Sequence, residues 1–180
     1  MALRNVVVYP HPALSKRAEE VRAFDEELAR LAADMIETMH ANSGVGLAAN
    51  QVGVLVRLMV VDLSAGEDPD GARVFVNPEI LEAEGEQSGE EGCLSFPGLF
   101  EIVTRPAKIR YRACDLRGNP FEGEAEGFLA RAICHEIDHL DGIVFLKRMS
   151  PLKRRLALKK IERLVRQGEW PREGVAGGSA

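Results

Sequence analysis

The stretch 128-FLARAICHEIDHL-140 reads as one helix ending near Gly142. Within it stand His135, Glu136, Ile137, Asp138 and His139. Residues four apart on a helix share a face, so the two imidazoles can reach one metal ion. Glu136 lies one step round and can approach a water at an open coordination position, which is the mechanical content of an HExxH motif. Ala132, Ile133, Ile137 and Leu140 are apolar and suit a helix buried at the centre of the molecule. The other two histidines, His11 and His40, have no such partner and read as polar surface or turn residues.

Upstream of this helix, Phe24, Leu28, Leu31, Met35 and Met39 recur at helical spacing, with Asp25, Glu26 and Glu27 in the first turn, where acids suit the helix dipole. Strand-like runs follow at Leu55–Val61, Val74–Val76 and Ile80–Ala83, with a polar loop over Ser64–Ala72. Gly44–Gly53 (GVGLAANQVG) breaks the pattern, and Gly89–Gly98 (GEEGCLSFPG) reads as a second glycine-bounded loop. Ile102 to Ala113 partly alternates, with Lys108, Arg110 and Arg112 opposite Ile109, Tyr111 and Ala113, as in a half-buried strand, with Phe121–Ala125 as its returning partner. Downstream, Ser150 and Pro151 supply an N-cap and a first helical residue for a last helix to about Gln167. These elements predict an α+β fold: short antiparallel strands around a central metal-binding helix, with an N-terminal and a C-terminal helix.

A chain of 180 residues suits one domain, expected over residues 1–168, with residues 169–180 as a flexible tail. The net charge of −5 argues against a general nucleic-acid binder. No apolar run is long enough for a membrane helix, and Met1–Ser15 lacks the pattern of a secretory signal. A cytoplasmic location is expected, with no membrane association. Three cysteines, Cys93, Cys114 and Cys134, do not suggest a disulfide framework.

A catalytic site of this type takes three protein ligands and a water. A third histidine six residues after His139 would complete one known pattern, but that position is Phe145. Two candidates remain: Glu162 on the last helix, as in another class of HExxH metallopeptidase, and Cys93 in its glycine-flanked loop, where metal binding would hold the thiol deprotonated. Spacing alone does not decide between them.

Three segments together resemble the peptide deformylase family: Gly44–Gln51 (GVGLAANQ), Glu91–Ser95 (EGCLS) and His135–His139 (HEIDH), in the family's order and spacing. The likeness spans Tyr9 to about Gln167. It implies a metal-dependent hydrolase that releases formate from the N-terminal formyl-methionine of nascent polypeptides. It implies Cys93, His135 and His139 as ligands, Glu136 as the proton carrier, and the Gln51 amide with the Leu94 backbone N–H as oxyanion donors. Glu162 then becomes a helix-surface residue. The implied metal is Fe(II) in the cell, with Zn, Ni or Co expected in purified protein. The implied substrate groove runs along Gly44, Val45, Gly46, Glu91 and Gly92, with Phe128, Ala132 and the His135 ring as pocket lining and an ion pair between Glu91 and Arg105 bracing the Cys93 segment. One position departs from the family: the residue before the first histidine, usually Gln, is Cys134.

The last helix carries Lys153, Arg154, Arg155, Lys159, Lys160, Arg163 and Arg166 in an otherwise acidic chain. Such a run is most often a solvated face, with Leu152, Leu156, Ile161 and Leu164 as the expected core stripe. The resemblance implies ribosome contact through this helix. No stable protein partner is expected.

Overall fold

The computed structural model describes residues 2–171. It has three α-helices and seven strands, all paired antiparallel. Helix α1 spans Glu26–Ala41, and the Asp25 side chain caps it by accepting from the Leu28 N–H at 3.0 Å. Its apolar stripe, Leu28, Leu31, Ala32, Met35 and Met39, is buried as the spacing requires.

Strands β1 (Gly46–Ala48), β2 (Leu58–Val61), β3 (Arg73–Glu84), β6 (Lys108–Cys114) and β7 (Pro120–Glu126) form one sheet in the order β1-β2-β3-β6-β7. The runs Val74–Val76 and Ile80–Ala83 are thus one strand. Its pairing with β6 shifts register between Val76 and Glu79, and Asn77 in between has φ of 49°. The Asn77 amide accepts from the Val21 N–H at 2.8 Å and donates to its carbonyl at 2.9 Å, holding the irregularity in place. The run Ile102–Ala113, expected as one strand, is interrupted at Pro106 and Ala107; on β6 the alternation holds, with Ile109, Tyr111 and Ala113 facing the core while Lys108, Arg110 and Arg112 pair with glutamates of β3 and β7. Exposed pairs of this kind add little stability.

The segment Gly89–Gly98, expected to be a loop, is the tip of a hairpin. Strands β4 (Gln87–Cys93) and β5 (Phe96–Arg105) form a separate two-stranded sheet, closed by a turn over Leu94 and Ser95 with Cys93 opposite Phe96. Glycine and glutamate disguise β4 in the sequence, because little of it faces an apolar core.

Helix α2 (Gly127–Leu140) lies at the centre, and every residue from Ala130 to Leu140 is buried. Its apolar side packs on Phe75, Ile109 and Tyr111 of the larger sheet. Helix α3 (Pro151–Arg166) begins at Ser150, whose hydroxyl accepts from the Lys153 N–H at 3.3 Å. Its core stripe keeps Ile161 and the half-buried Leu164 of the expected one, but Ala157 is buried where Leu152 and Leu156 are exposed. The helix rests on the core by a narrow face set around Ala157, one residue beyond Leu156. Trp170, two residues past the expected domain boundary, is buried and donates its indole N–H to the Tyr9 carbonyl at 2.8 Å. Of the expected tail, residues 172–180 lie outside the described residues. Among the described residues, no helix is long and apolar enough to cross a membrane.

Candidate metal centre

Helix α2 is apolar enough to be buried yet carries Arg131, His135, Glu136, Asp138 and His139 inside. Buried polar groups need partners, and here the hairpin β4–β5 supplies them. The tight turn after Cys93 aims the thiol at the helix. The Cys93 Sγ stands 3.3 Å from His139 Nε2, and that nitrogen stands 3.2 Å from His135 Nε2. One ligand atom from each of the three residues lies within 4.8 Å of the other two. Glu162, the other candidate ligand, is exposed on α3 and outside this group.

Glu91 fixes the orientation of His135. Its Oε1 lies 2.7 Å from His135 Nδ1, so Nδ1 carries a proton and Nε2 is the nitrogen turned toward Cys93 and His139. Burial lowers the His135 pKa, but its contacts with Cys93 and Glu91 outweigh burial and raise it to about 10, so a metal ion bound at Nε2 would displace a proton from it. Burial and the charges of His135 and Arg105 drive His139 well below the ordinary range, which keeps its ring in the metal-binding form. Two facing imidazole nitrogens and a thiol, in surroundings that favour a cation between them, fit a divalent metal ion. Softness and geometry of the donor set suit zinc-like or ferrous ions.

The Glu91–Arg105 pair is present and bidentate, with Nε to Oε2 and Nη2 to Oε1 both at 2.9 Å. It belongs to a larger network, buried but for Arg148, that sequence reasoning missed. Arg105 also donates to Asp138 at 2.6 Å, and Arg148 grips Asp138 at 2.8 and 2.9 Å. Arg131 donates to Glu91 Oε2 at 2.6 Å. The available signal for Arg131 was its position four residues before His135, on the same helix face.

Glu136 is buried, and its Oε2 has no hydrogen-bond partner among the described residues. Burial pushes its carboxyl up to about 7, with the Glu91 charge adding and those of His135 and Arg105 opposing. Gly46 on β1 makes room for it: a Cβ there would stand 2.5 Å from Glu136 Oε1. Gln51 is also buried. Its Oε1 accepts from the Ala48 N–H at 3.0 Å, which turns its amide nitrogen toward Cys93 Sγ at 3.5 Å and Ser95 Oγ at 3.2 Å. Leu94 follows Cys93 in the turn, and its Cδ1 would meet a Cβ on Gly44 at 3.0 Å. Gly44–Gly46 and the Cys93 turn thus face each other closely, with Val45 half-buried between the two glycines.

Of the remaining groove residues, Gly92 is exposed with the Phe100 ring beside it, which a Cβ at Gly92 would meet at 2.5 Å. Ala132 is buried and Phe128 is half exposed at the start of α2. The Cys134 thiol is buried, and burial raises it to about 11, so it behaves as a packing residue. His11 accepts from the Ala13 N–H, and His40 pairs with Asp62 at 2.7 Å; neither approaches the centre.

Residues 3–155 match the family model described as Polypeptide deformylase. The peptide deformylase of Acidobacterium capsulatum is 50% identical over 170 residues, covering 94% of this chain and all of that protein. That of Alkalilimnicola ehrlichii is 50% identical, covering 93% and 94%. Among solved structures, a peptide deformylase from Legionella pneumophila superposes with a TM-score of 0.86 at 44% identity, covering 94% of this chain and all of that one. The Ehrlichia chaffeensis enzyme in complex with actinonin superposes at 0.82 with 40% identity, covering 91% and 98%.

Proposed function

The chain belongs to the polypeptide deformylase family, and on that premise we propose how its own residues carry the family's reaction. The enzyme is a metal-dependent hydrolase that removes the N-formyl group from nascent polypeptides. In our reading Cys93, His135 and His139 hold the metal ion, and their convergence on one point carries the proposal. When bound, a divalent ion acidifies water and draws electron density from the formyl carbonyl.

The other steps fall to side chains. Glu136 takes the proton from the attacking water as oxygen bonds to the formyl carbon. Its carboxyl, poised near neutrality by burial, can both accept and return that proton. Negative charge develops on the carbonyl oxygen, and the Gln51 amide and the Leu94 backbone N–H are the donors beside it. Glu136 then delivers the proton to the amine, the C–N bond breaks, and formate and the free amino terminus separate. Gly44 and Gly46 let backbone lie close to Leu94 and Glu136, and in our reading that close fit favours hydrogen over a methyl group at the reacting carbon.

The substrate backbone runs extended along Val45 and the edge of β4 at Glu91 and Gly92, pairing as an added strand. Its methionine side chain turns toward Phe128, Ala132 and the His135 ring. We take Fe(II) as the cellular metal, on the strength of the resemblance; Zn, Ni and Co fit the same donors. We assign the enzyme to the cytoplasm, where its formylated substrates are made. The exposed basic face of α3, with Lys153, Arg155, Lys159, Lys160, Arg163 and Arg166, supports contact with ribosomal RNA. Loss of salt-sensitive co-sedimentation on truncation after Ser150 tests that contact.

The test of the reaction is formate release from formyl-Met-Ala-Ser by Fe(II)-loaded protein, beside Glu136→Ala. Glu136→Ala should bind metal and lose about 10²–10⁴-fold in rate. Full activity in that variant would remove Glu136 from the mechanism.

A further inference from the structure

The guanidinium of Arg131 is buried four residues before His135 on the face that carries both imidazoles. Its Nη1 donates to Glu91 Oε2 at 2.6 Å and to the Val103 carbonyl at 2.9 Å, and its Nη2 lies 3.4 Å from the Gln87 carbonyl. Gln87 is on β4 and Val103 on β5. One side chain of α2 therefore grips both strands of the hairpin whose tip bears Cys93. Gly89 is shaped to this grip, since a Cβ there would stand 3.1 Å from Arg131 Nη2 and 3.4 Å from its Cζ.

Resting on the metal reading above, we propose that Arg131 is a positioning residue for the metal centre. It acts by two routes. Through Glu91 it holds the carboxylate that orients His135 Nδ1, so that Nε2 faces the metal position. Through the carbonyls of Gln87 and Val103 it sets the distance between the hairpin that supplies sulfur and the helix that supplies nitrogen. Arg105 holds Glu91 as well, but from β5; Arg131 alone of the two belongs to the helix of the histidines. Partners outside the ligand shell that orient a metal-binding histidine typically change metal affinity by about 10–100-fold.

The experiment is titration of metal-free protein with Co(II) against a competing chelator, reading affinity and the visible thiolate–cobalt bands. The proteins are the parent, Arg131→Met, Arg131→Lys, Gly89→Ala, Cys93→Ser and, as a stability control remote from the centre, Asp34→Ala. Arg131→Met should bind Co(II) about 10–100-fold more weakly with shifted bands. Arg131→Lys, which keeps a charge but not the planar fork, should fall between it and the parent. Gly89→Ala, which displaces the guanidinium without removing it, should weaken binding in the same direction. Asp34→Ala, which loses the partner of Arg4, should leave cobalt affinity unchanged. Arg131→Met within about twofold of the parent, with unshifted bands, would overturn the inference alone. If Arg131→Met does not fold, parent-like affinity in both Arg131→Lys and Gly89→Ala overturns it equally. A parent without bands sensitive to Cys93→Ser would instead sink the metal reading itself, and this inference with it.

Discussion

A Cβ built on Gly46 would stand 2.5 Å from Oε1 of Glu136 and 3.0 Å from its Cδ and Cγ. Strand β1 and helix α2 are thus fitted to each other around a carboxylate, and the absent side chain at position 46 fixes where that carboxylate sits. Gly46→Ala should push the Glu136 carboxyl aside while leaving Cys93, His135 and His139 untouched. A displacement near 1 Å at a reacting group costs about 10²-fold in rate. The variant should therefore keep its full metal content by elemental analysis and lose activity of that order in formate release. Unchanged activity would mean that Glu136 needs no such fit.

Gln51 is aimed by its own backbone surroundings: Ala48 N–H occupies Oε1, so the amide nitrogen faces Cys93 and Ser95. Gln51→Met keeps the volume and removes the donor. Loss of one oxyanion donor lowers kcat by about 10²–10³-fold. The drop should appear in kcat with KM nearly constant, because the interaction strengthens as charge develops on the oxygen. A rise in KM alone would assign Gln51 to substrate binding.

Asp62 anchors the polar loop after β2. Its carboxylate is buried, accepts from the Ser64 N–H and hydroxyl and the Gly66 N–H, and pairs with His40. Burial raises its pKa, yet the hydrogen bonds from Ser64, His40 and Gly66 outweigh burial and hold it below the ordinary 3.8. A group whose folded pKa is depressed stabilises the fold above its unfolded pKa, and that contribution fades as the pH falls through the folded value. Asp62→Asn should cost roughly 1–3 kcal/mol near neutrality. The gap in urea midpoint between parent and variant should then narrow as the pH is taken from about 5.5 to about 3. A gap that widens on acidification would contradict the direction of the shift.

The sequence carried the two histidines and Glu136 in full, because helical spacing converts directly into a shared face. It carried Cys93 only as a candidate. The thiol meets His139 across 46 positions of chain, and separation along a sequence sets no distance in space. Only the resemblance chose it over Glu162. The hairpin β4–β5 was hidden for a related reason. Its glycines look like loop punctuation, yet Gly89 and Gly92 are where the Arg131 guanidinium and the Phe100 ring lie against the strand. The buried network around Glu91 was legible only at its Arg105 end. Nothing in the sequence beyond its spacing from His135 singles out Arg131 on its apolar helix; the fold places three acceptors around it. On α3 the leucines at 152 and 156 had the right spacing but the wrong side, since Ala157 sets the contact face.

The choice between Cys93 and Glu162 yields the most direct prediction. Glu162 is exposed on α3, outside the group of converging donors, so Glu162→Ala should leave metal content and activity intact and shift stability by less than about 0.5 kcal/mol. Cys93→Ser replaces a donor that metal binding can hold as an anion with a hydroxyl that stays protonated near neutrality. The ion would then keep two neutral imidazoles and lose the thiolate that offsets its charge, and protein dialysed against a chelator should retain markedly less metal than the parent under the same treatment. The reverse pattern, with metal lost from Glu162→Ala and kept by Cys93→Ser, would require α3 to fold back onto the histidines. It would return the chain to the peptidase reading that HEIDH alone had left open.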